Sequence, residues 1–263
     1  MIDFDAYAQR VGVGSDPSVT ELHRAHVLTI PFENLDPHRG VPVSLEPEQL
    51  EDKLVASRRG GYCFEQNLLL AAALEATGRE VEPMLARVRV GAPPGTVRPR
   101  THLVLRVHDG EETWLADVGF GLGTLIEPIL FAPGIESEQL GWHFRLVQDG
   151  RELVMQAVLG DDWVDVYGFV PEPVPPVDIE TSNWFTATSP HSPFVTGLVA
   201  AAQRADGTRV SLSDWGDLAL IVRTPAATEV TAVRREDIPD LLADEFGLPG
   251  FSLGPDGRMV ITE

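Results

Sequence analysis

The sequence predicts an α+β fold in which helices come first and strands follow. Three observations carry this. Over the first 80 residues apolar positions recur at three- and four-residue spacings, from about residue 81 the period changes to two, and a last helical pattern appears in REDIPDLLADEFG, 235–247. With 43% hydrophobic residues in a chain of 263, there is enough apolar material for a substantial core.

In the helical part, DPSVTELHRAHVLTI (16–30) and PEQLEDKLVAS (47–57) each place apolar side chains on one face. Ser15, Asp16 and Ser18 offer N-cap oxygens, and Pro47 suits a first helical turn. The stretch FEQNLLLAAALEATG (64–78) reads as a helix that is apolar on nearly every side, and is therefore buried, with Gly78 beyond its C-terminus.

The strand-like runs are MLARVRV (84–90), THLVLRV (101–107), TWLADVGF (113–120), HFRLVQDG (143–150), RELVMQAV (151–158) and DDWVDVYGF (161–169). Short strands in succession, separated by turn residues, predict an antiparallel sheet or barrel. PEPVPPVD, 171–178, reads as a proline-rich connector, neither helix nor central strand. Two more strand-like runs, TRVSLSD (208–214) and LALIVR (218–223), precede the final helix. No internal repeat and no low-complexity tail is seen.

Charge and composition narrow the function. A formal net charge of −20 argues against nucleic acid as a partner, because binding the phosphate backbone needs clustered Lys and Arg. No apolar run approaches a membrane span, and MIDFDAYAQR lacks the basic and apolar regions of a secretory signal, so the expectation is a cytoplasmic protein. Residues 53–106 nevertheless carry nine basic side chains against four acidic ones, a local balance of +5 in a chain whose remainder holds −25. Two readings stand: this island focuses an anionic ligand, or its arginines pair with acids elsewhere in the fold.

Cys63, in GGYCFEQN, is the only cysteine, which excludes an internal disulfide and a multi-cysteine metal site. It opens a buried helix, where the macrodipole favours thiolate over thiol, and Arg58 and Arg59 precede it. Gly60 and Gly61 let the backbone approach a reacting atom, and free amides at a helix start are suitable oxyanion donors. Against this stands the commonest fate of a free cysteine, a small buried hydrophobe.

Of the seven histidines, His102 stands out by register. THLVLRV and ETWLADV flank HDGE, and an Asp109-Gly110 hairpin turn makes opposite residue numbers sum to 219, which sets His102 across from Asp117. The carboxylate would then fix one imidazole nitrogen and leave the other for the thiol, the nucleophile, base and orienter arrangement of acyl-transfer enzymes. A four-residue loop would shift the pairing by two and put Asp117 opposite Val104, still on one face with His102.

Other clusters point less far. His23 and His26 form half a metal site that nothing completes, so a surface or interhelical role is expected for both. Gly119, Gly121 and Gly123 match no phosphate-loop pattern. Phe194, in the proline-stiffened SPHSPF, is either core or a pocket wall.

PFENL (31–35), RGGYCFEQN (59–67), THLVLRV, WLADVGFG (114–121) and NWFTATSPHSPF (183–194) together resemble the arylamine N-acetyltransferase family, in the same order and over nearly the whole chain. The resemblance is specific around the cysteine and Asp117 and loose over the last 60 or so residues. It implies a helical bundle over 1–80 carrying the nucleophile, an antiparallel β-barrel over 81–187 carrying His and Asp, and an α/β lid over 188–263, around a cysteine-protease-like catalytic core. It implies a Cys63, His102, Asp117 triad that takes an acetyl group from acetyl-coenzyme A and passes it to an arylamine, arylhydrazine or N-hydroxyarylamine, without a metal. By motif position Phe32, Phe120 and Phe194 would line the acceptor pocket, and Thr101 and Gly121 would lie near the pantetheine of the coenzyme. Three alternatives remain open: an amide synthase releasing or cyclising a carrier-bound polyketide, a thiol hydrolase or transglutaminase-like enzyme, and a binding module with an inactive triad.

Overall fold

Residues 2–93 and 95–262 are described in a computed structural model of the chain. Asp3 caps α1 (Phe4–Val11) by accepting from the Ala6 amide, and Gly12 closes it in the left-handed region at φ 81. α2 (Val19–Thr29) starts from a capping box between Ser18 and Glu21, so Ser18 is the cap that is used. After β1 (Phe32–Glu33) come α3 (Leu35–Arg39) and α4 (Pro47–Glu51), which has Pro47 in its first turn and runs on as a π-helical turn, Asp52–Ala56. α5 (Cys63–Ala76) is buried along most of its length and packs on α1 and α2.

An eight-stranded antiparallel sheet follows, coiled into a nearly closed barrel. Its strands are β2 (Glu80–Val88), β3 (His102–Asp109), β4 (Glu112–Ala116), β5 (Ile129–Leu130), β6 (Glu136–Gln139), β7 (Trp142–Asp149), β8 (Glu152–Leu159) and β9 (Asp162–Phe169), in the order β5-β4-β3-β2-β9-β8-β7-β6. Inward residues such as Met84, Val104, Phe144, Met155 and Phe169 fill it.

The β3–β4 hairpin corrects the expected register. Asp109 pairs with Glu112 and Leu105 with Ala116, so the turn is Gly110-Glu111, one residue later than the sequence reading has it. Gly110, at φ 63, takes the first central position, where a II′ turn requires a glycine. The pairing is thereby displaced by two, the ladder stops at Ala116, and Asp117 is aligned with Val104 rather than with His102.

The proline-rich connector ends in a helix that the sequence reading did not assign: α6 (Pro176–Thr188) has its prolines at the N-cap and first position, where the missing N–H costs nothing. The expected boundary at 187/188 thus falls inside α6, whereas that at 80/81 falls at the start of β2. Beyond it lie α7 (Pro193–Thr196), β10 (Val199–Gln203), β11 (Arg209–Ser213), β12 (Ala219–Arg223), β13 (Thr228–Ala232), α8 (Ile238–Phe246), β14 (Phe251–Leu253) and β15 (Met259–Ile261). β1 joins this second sheet, ordered β1-β10-β11-β12-β13, and so ties the C-terminal layer to the segment beside the cysteine. Among the described residues no helix is long and apolar enough to cross a membrane.

Candidate active site

Cys63 is the first residue of α5 and is 2% exposed. Its position is set by backbone crowding. A Cβ on Gly60 would stand 2.1 Å from the Pro31 carbonyl, and one on Gly119 would stand 2.7 Å from Cys63 Cα, so glycine is needed for close approach at both places. The left-handed residue of the preceding turn is Arg58, at φ 52, rather than a glycine. The Glu65 carboxylate accepts from the Tyr62 amide at 3.1 Å and from Lys53 Nζ at 2.6 Å, which fixes the first turn of α5. Cys63 Sγ lies 3.6 Å from the Thr101 carbonyl, at the entry to β3.

His102 opens β3, and its Nε2 donates to Asp117 Oδ2 at 2.8 Å although the two are not paired across the hairpin. Asp117 is fully buried, and its other oxygen accepts from Asn67 Nδ2 at 3.0 Å and from the Gly119 amide at 2.9 Å. Burial disfavours the ionised carboxyl, yet the charge and hydrogen bond of His102, with those two donors, hold it below the usual aspartate value. Burial likewise works against the imidazolium, but Asp117 and then the neighbouring Cys63 outweigh it and raise His102 to about 10. Phe120 and Tyr167 close the ring in, at centroid separations of 5.1 and 4.9 Å.

Cys63, His102 and Asp117 are thus brought together, and the first two open onto a cavity of about 1460 Å³. Phe32, Phe120, Phe194 and Thr101 also line it. Phe32 and Phe194 pack at 6.2 Å, and Phe194 leans edge-on against Trp215. Gly121, expected beside the pantetheine, stands behind this wall: at φ 74 it backs onto the Phe32 ring, and its carbonyl accepts from Gln203 Nε2 at 3.2 Å. Its contribution is to let Phe32 sit close.

The family model for N-acetyltransferases matches residues 17–249. An arylamine N-acetyltransferase of Mycobacterium tuberculosis is 36% identical over 98% of this chain and 93% of its own length. The chain belongs to the arylamine N-acetyltransferase family. A Salmonella typhimurium relative, named arylamine N-acetyltransferase / N-hydroxyarylamine O-acetyltransferase, is 34% identical over 92% of this chain and 85% of that protein. The solved structure of the Mycobacterium marinum arylamine N-acetyltransferase in complex with CoA superposes with a TM-score of 0.88 at 38% identity, covering 94% of this chain and 93% of that one.

Within this arylamine N-acetyltransferase fold the histidines that resembled half a metal site have other partners. His23 is buried; its Nδ1 donates to the Ile126 carbonyl at 3.1 Å and its Nε2 accepts from the Asp117 amide at 3.1 Å. His26 Nε2 donates to Gln66 Oε1 at 2.6 Å, and its Nδ1 accepts from Tyr7 Oη at 2.9 Å. Burial foremost pushes both down, His23 to about 4 and His26 to about 3, so both are neutral.

The basic island resolves largely into internal pairs. Arg59 meets Glu33 and Asp36, Lys53 meets Asp36 and Glu65, Arg79 meets Asp109, Arg89 meets Asp149, Glu152 and Asp165, and Arg106 meets Glu82. These charges hold the scaffold rather than face a ligand. Asn67, which the sequence reading passed over, is the main support of Asp117: besides its bond to the carboxylate, its Oδ1 accepts from the Val118 amide at 3.0 Å. Its signal was available, since it lies four residues after Cys63 and therefore on the same helix face.

Proposed function

We propose that the chain transfers an acetyl group from acetyl-coenzyme A to an aromatic amine or hydrazine by a ping-pong route through a Cys63 thioester. The observation that carries the reading is the buried line of hydrogen bonds from Asp117 to His102, ending at a thiol that faces a large apolar-walled cavity. The M. marinum relative solved in complex with CoA supports the coenzyme as acyl carrier, and the Salmonella relative's name extends the acceptors to N-hydroxyarylamines.

His102, raised to about 10, is the group that takes the proton Cys63 gives up. The thiolate attacks the acetyl carbonyl, and the tetrahedral intermediate expels coenzyme A thiolate, which takes the proton from His102. The Tyr62 amide is occupied by Glu65, so within the first turn the Cys63 and Phe64 amides are the candidate oxyanion donors. Neutral His102 then takes a proton from the amine as it attacks the acetyl-enzyme, and collapse of the second intermediate expels the Cys63 sulfur and returns the proton to the Cys63–His102 pair. A positioned base contributes typically about 10²–10⁴-fold, and one oxyanion donor about 10²–10³-fold. Phe32, Phe120 and Phe194 hold the acceptor ring by apolar contact, with Thr101 beside the thioester. The protein works in the cytoplasm, without a metal, and needs neither nucleic acid nor membrane.

Intact mass spectrometry after mixing with acetyl-coenzyme A tests this. The expected result is one acetyl group on Cys63, discharged by p-anisidine or isoniazid and absent in Cys63→Ala. Turnover retained by Cys63→Ala excludes the thiol route. An acetyl-enzyme lost to water as fast as to amine favours a thiol hydrolase, and absence of loading with full iodoacetamide reactivity favours a carrier-dependent amide synthase.

A further inference from the structure

Among the described residues three arginines in the wall of the cavity stay outside the internal ion pairs: Arg98, which donates to the Val90 and Gly91 carbonyls, and Arg209 and Arg223, which lie side by side in one sheet. Arg209 and Arg223 stand directly opposite each other in the β11–β12 register, so their side chains share one face of the sheet, and both line the cavity that holds Cys63. Arg209 is 5% exposed. Its guanidinium lies 3.9 Å from the Trp142 ring centroid, Nη2 donates to the Thr124 carbonyl at 3.1 Å, and Nε has no acceptor among the described residues. Burial and then the charge of Arg223 push it down to about 9, and no carboxylate is among the groups acting on it.

Like charges set opposite one another destabilise a sheet, and a buried donor left unpaired adds to that cost. An anion between the two guanidiniums removes both penalties, and the planar fork of arginine suits phosphate oxygens. The location also favours one part of the ligand. Phe32 is on β1, while Arg209 and Arg223 are two and three strands away in the same sheet. At the usual strand spacing, and with the offset along the strands, that is roughly 10–16 Å from the aromatic end of the cavity. A single aromatic acceptor held by Phe32 and Phe194 does not reach so far. A donor with an extended arm between its thioester and its phosphates does.

We infer that Arg209 and Arg223 form an anion site for the phosphates of the acyl donor, and that this pair selects coenzyme A thioesters over shorter acetyl donors. The inference rests on the donor assignment made under the proposed function.

The test compares the wild type with Arg223→Gln and Arg209→Gln, using acetyl-coenzyme A, S-acetylpantetheine and p-nitrophenyl acetate as donors and p-anisidine as acceptor. The expected result is that the preference for acetyl-coenzyme A over the two phosphate-free donors, taken as the ratio of kcat/KM values, falls about 10- to 100-fold in each variant. The loss should sit mainly in KM, with partial recovery in Arg223→Lys. An equal fall with all three donors overturns the inference, because it means that Arg209 only braces the loop at Thr124 and Arg223 only the sheet. No change in the ratio overturns it as well, as does a loss seen only when p-aminobenzoate replaces p-anisidine, which would give the arginines to an acceptor carboxylate. A wild type loaded by p-nitrophenyl acetate but not by acetyl-coenzyme A removes the donor assignment itself, and the anion site falls with it.

Discussion

Asn67 donates to Asp117 at 3.0 Å from the helix that begins at Cys63, so the helix that carries the thiol also aims the carboxylate behind the imidazole. One rigid element therefore fixes both ends of the line through His102. Asn67→Leu, close in volume and without polar atoms, strips donors and acceptors from Asp117, Leu103 and Val118. It should cost about 1–3 kcal/mol for each buried group left unpaired, measured by denaturant unfolding. Acetylation of Cys63 should slow as well, with His102 titrating at a shifted pH; an unchanged His102 titration would reduce Asn67 to scaffold.

The His102 ring offers a direct reading of the site. Its folded value, about 10, is raised, so the imidazolium is present below that pH and is lost as pH rises through it. Nitrogen-15 NMR of the histidine rings should show His102 protonated throughout the neutral range. Asp117→Asn removes the main raising influence, so the titration should move toward the ordinary histidine range near 6.5, with acetyl transfer slowed roughly 10²–10⁴-fold.

Gly119→Ala places a methyl group 2.7 Å from both Cys63 Cα and Asn67 Nδ2. The first neighbour is backbone and cannot turn aside. A destabilisation of about 1–3 kcal/mol is expected from overpacking, with a larger loss of thiol reactivity toward iodoacetamide than in Gly123→Ala, where the nearest atom stands at 3.5 Å.

Acid should unfold the protein partly through His23 and His26. Their folded values, about 4 and about 3, lie below the ordinary 6.5, so their contribution is complete above 6.5 and is lost as pH falls toward the folded values. For His23 this amounts to about 3 kcal/mol once the ring would be protonated in both states. His23→Gln should flatten the fall in unfolding free energy between neutral and mildly acidic pH. An equally steep fall in the variant would place the acid sensitivity in the carboxylates.

Much of the fold was legible because local pattern and burial agree. The all-apolar stretch after Cys63 had to be a buried helix, and the alternating runs from residue 81 became strands within a few residues of the expected ends. The misses have physical causes. In the β3–β4 hairpin a single glycine can occupy either central position of a turn, and only packing of the barrel decides which; the strand face is preserved either way, which is why His102 and Asp117 still met. Pro176 reads as a breaker in a run of prolines, yet at a first helical turn it is a starter.

The sequence by itself determined the order of helices and strands, the free thiol at a helix start, and the shared strand face of His102 and Asp117, because these depend on periodicity and residue type. Tertiary structure alone decided which of the many arginines were spent on internal pairs and that Arg209 and Arg223 face the cavity side by side. It also decided that His23 and His26 are neutral braces. Charge neutralisation and hydrogen-bond satisfaction depend on neighbours brought from far along the chain, and no local pattern encodes those neighbours.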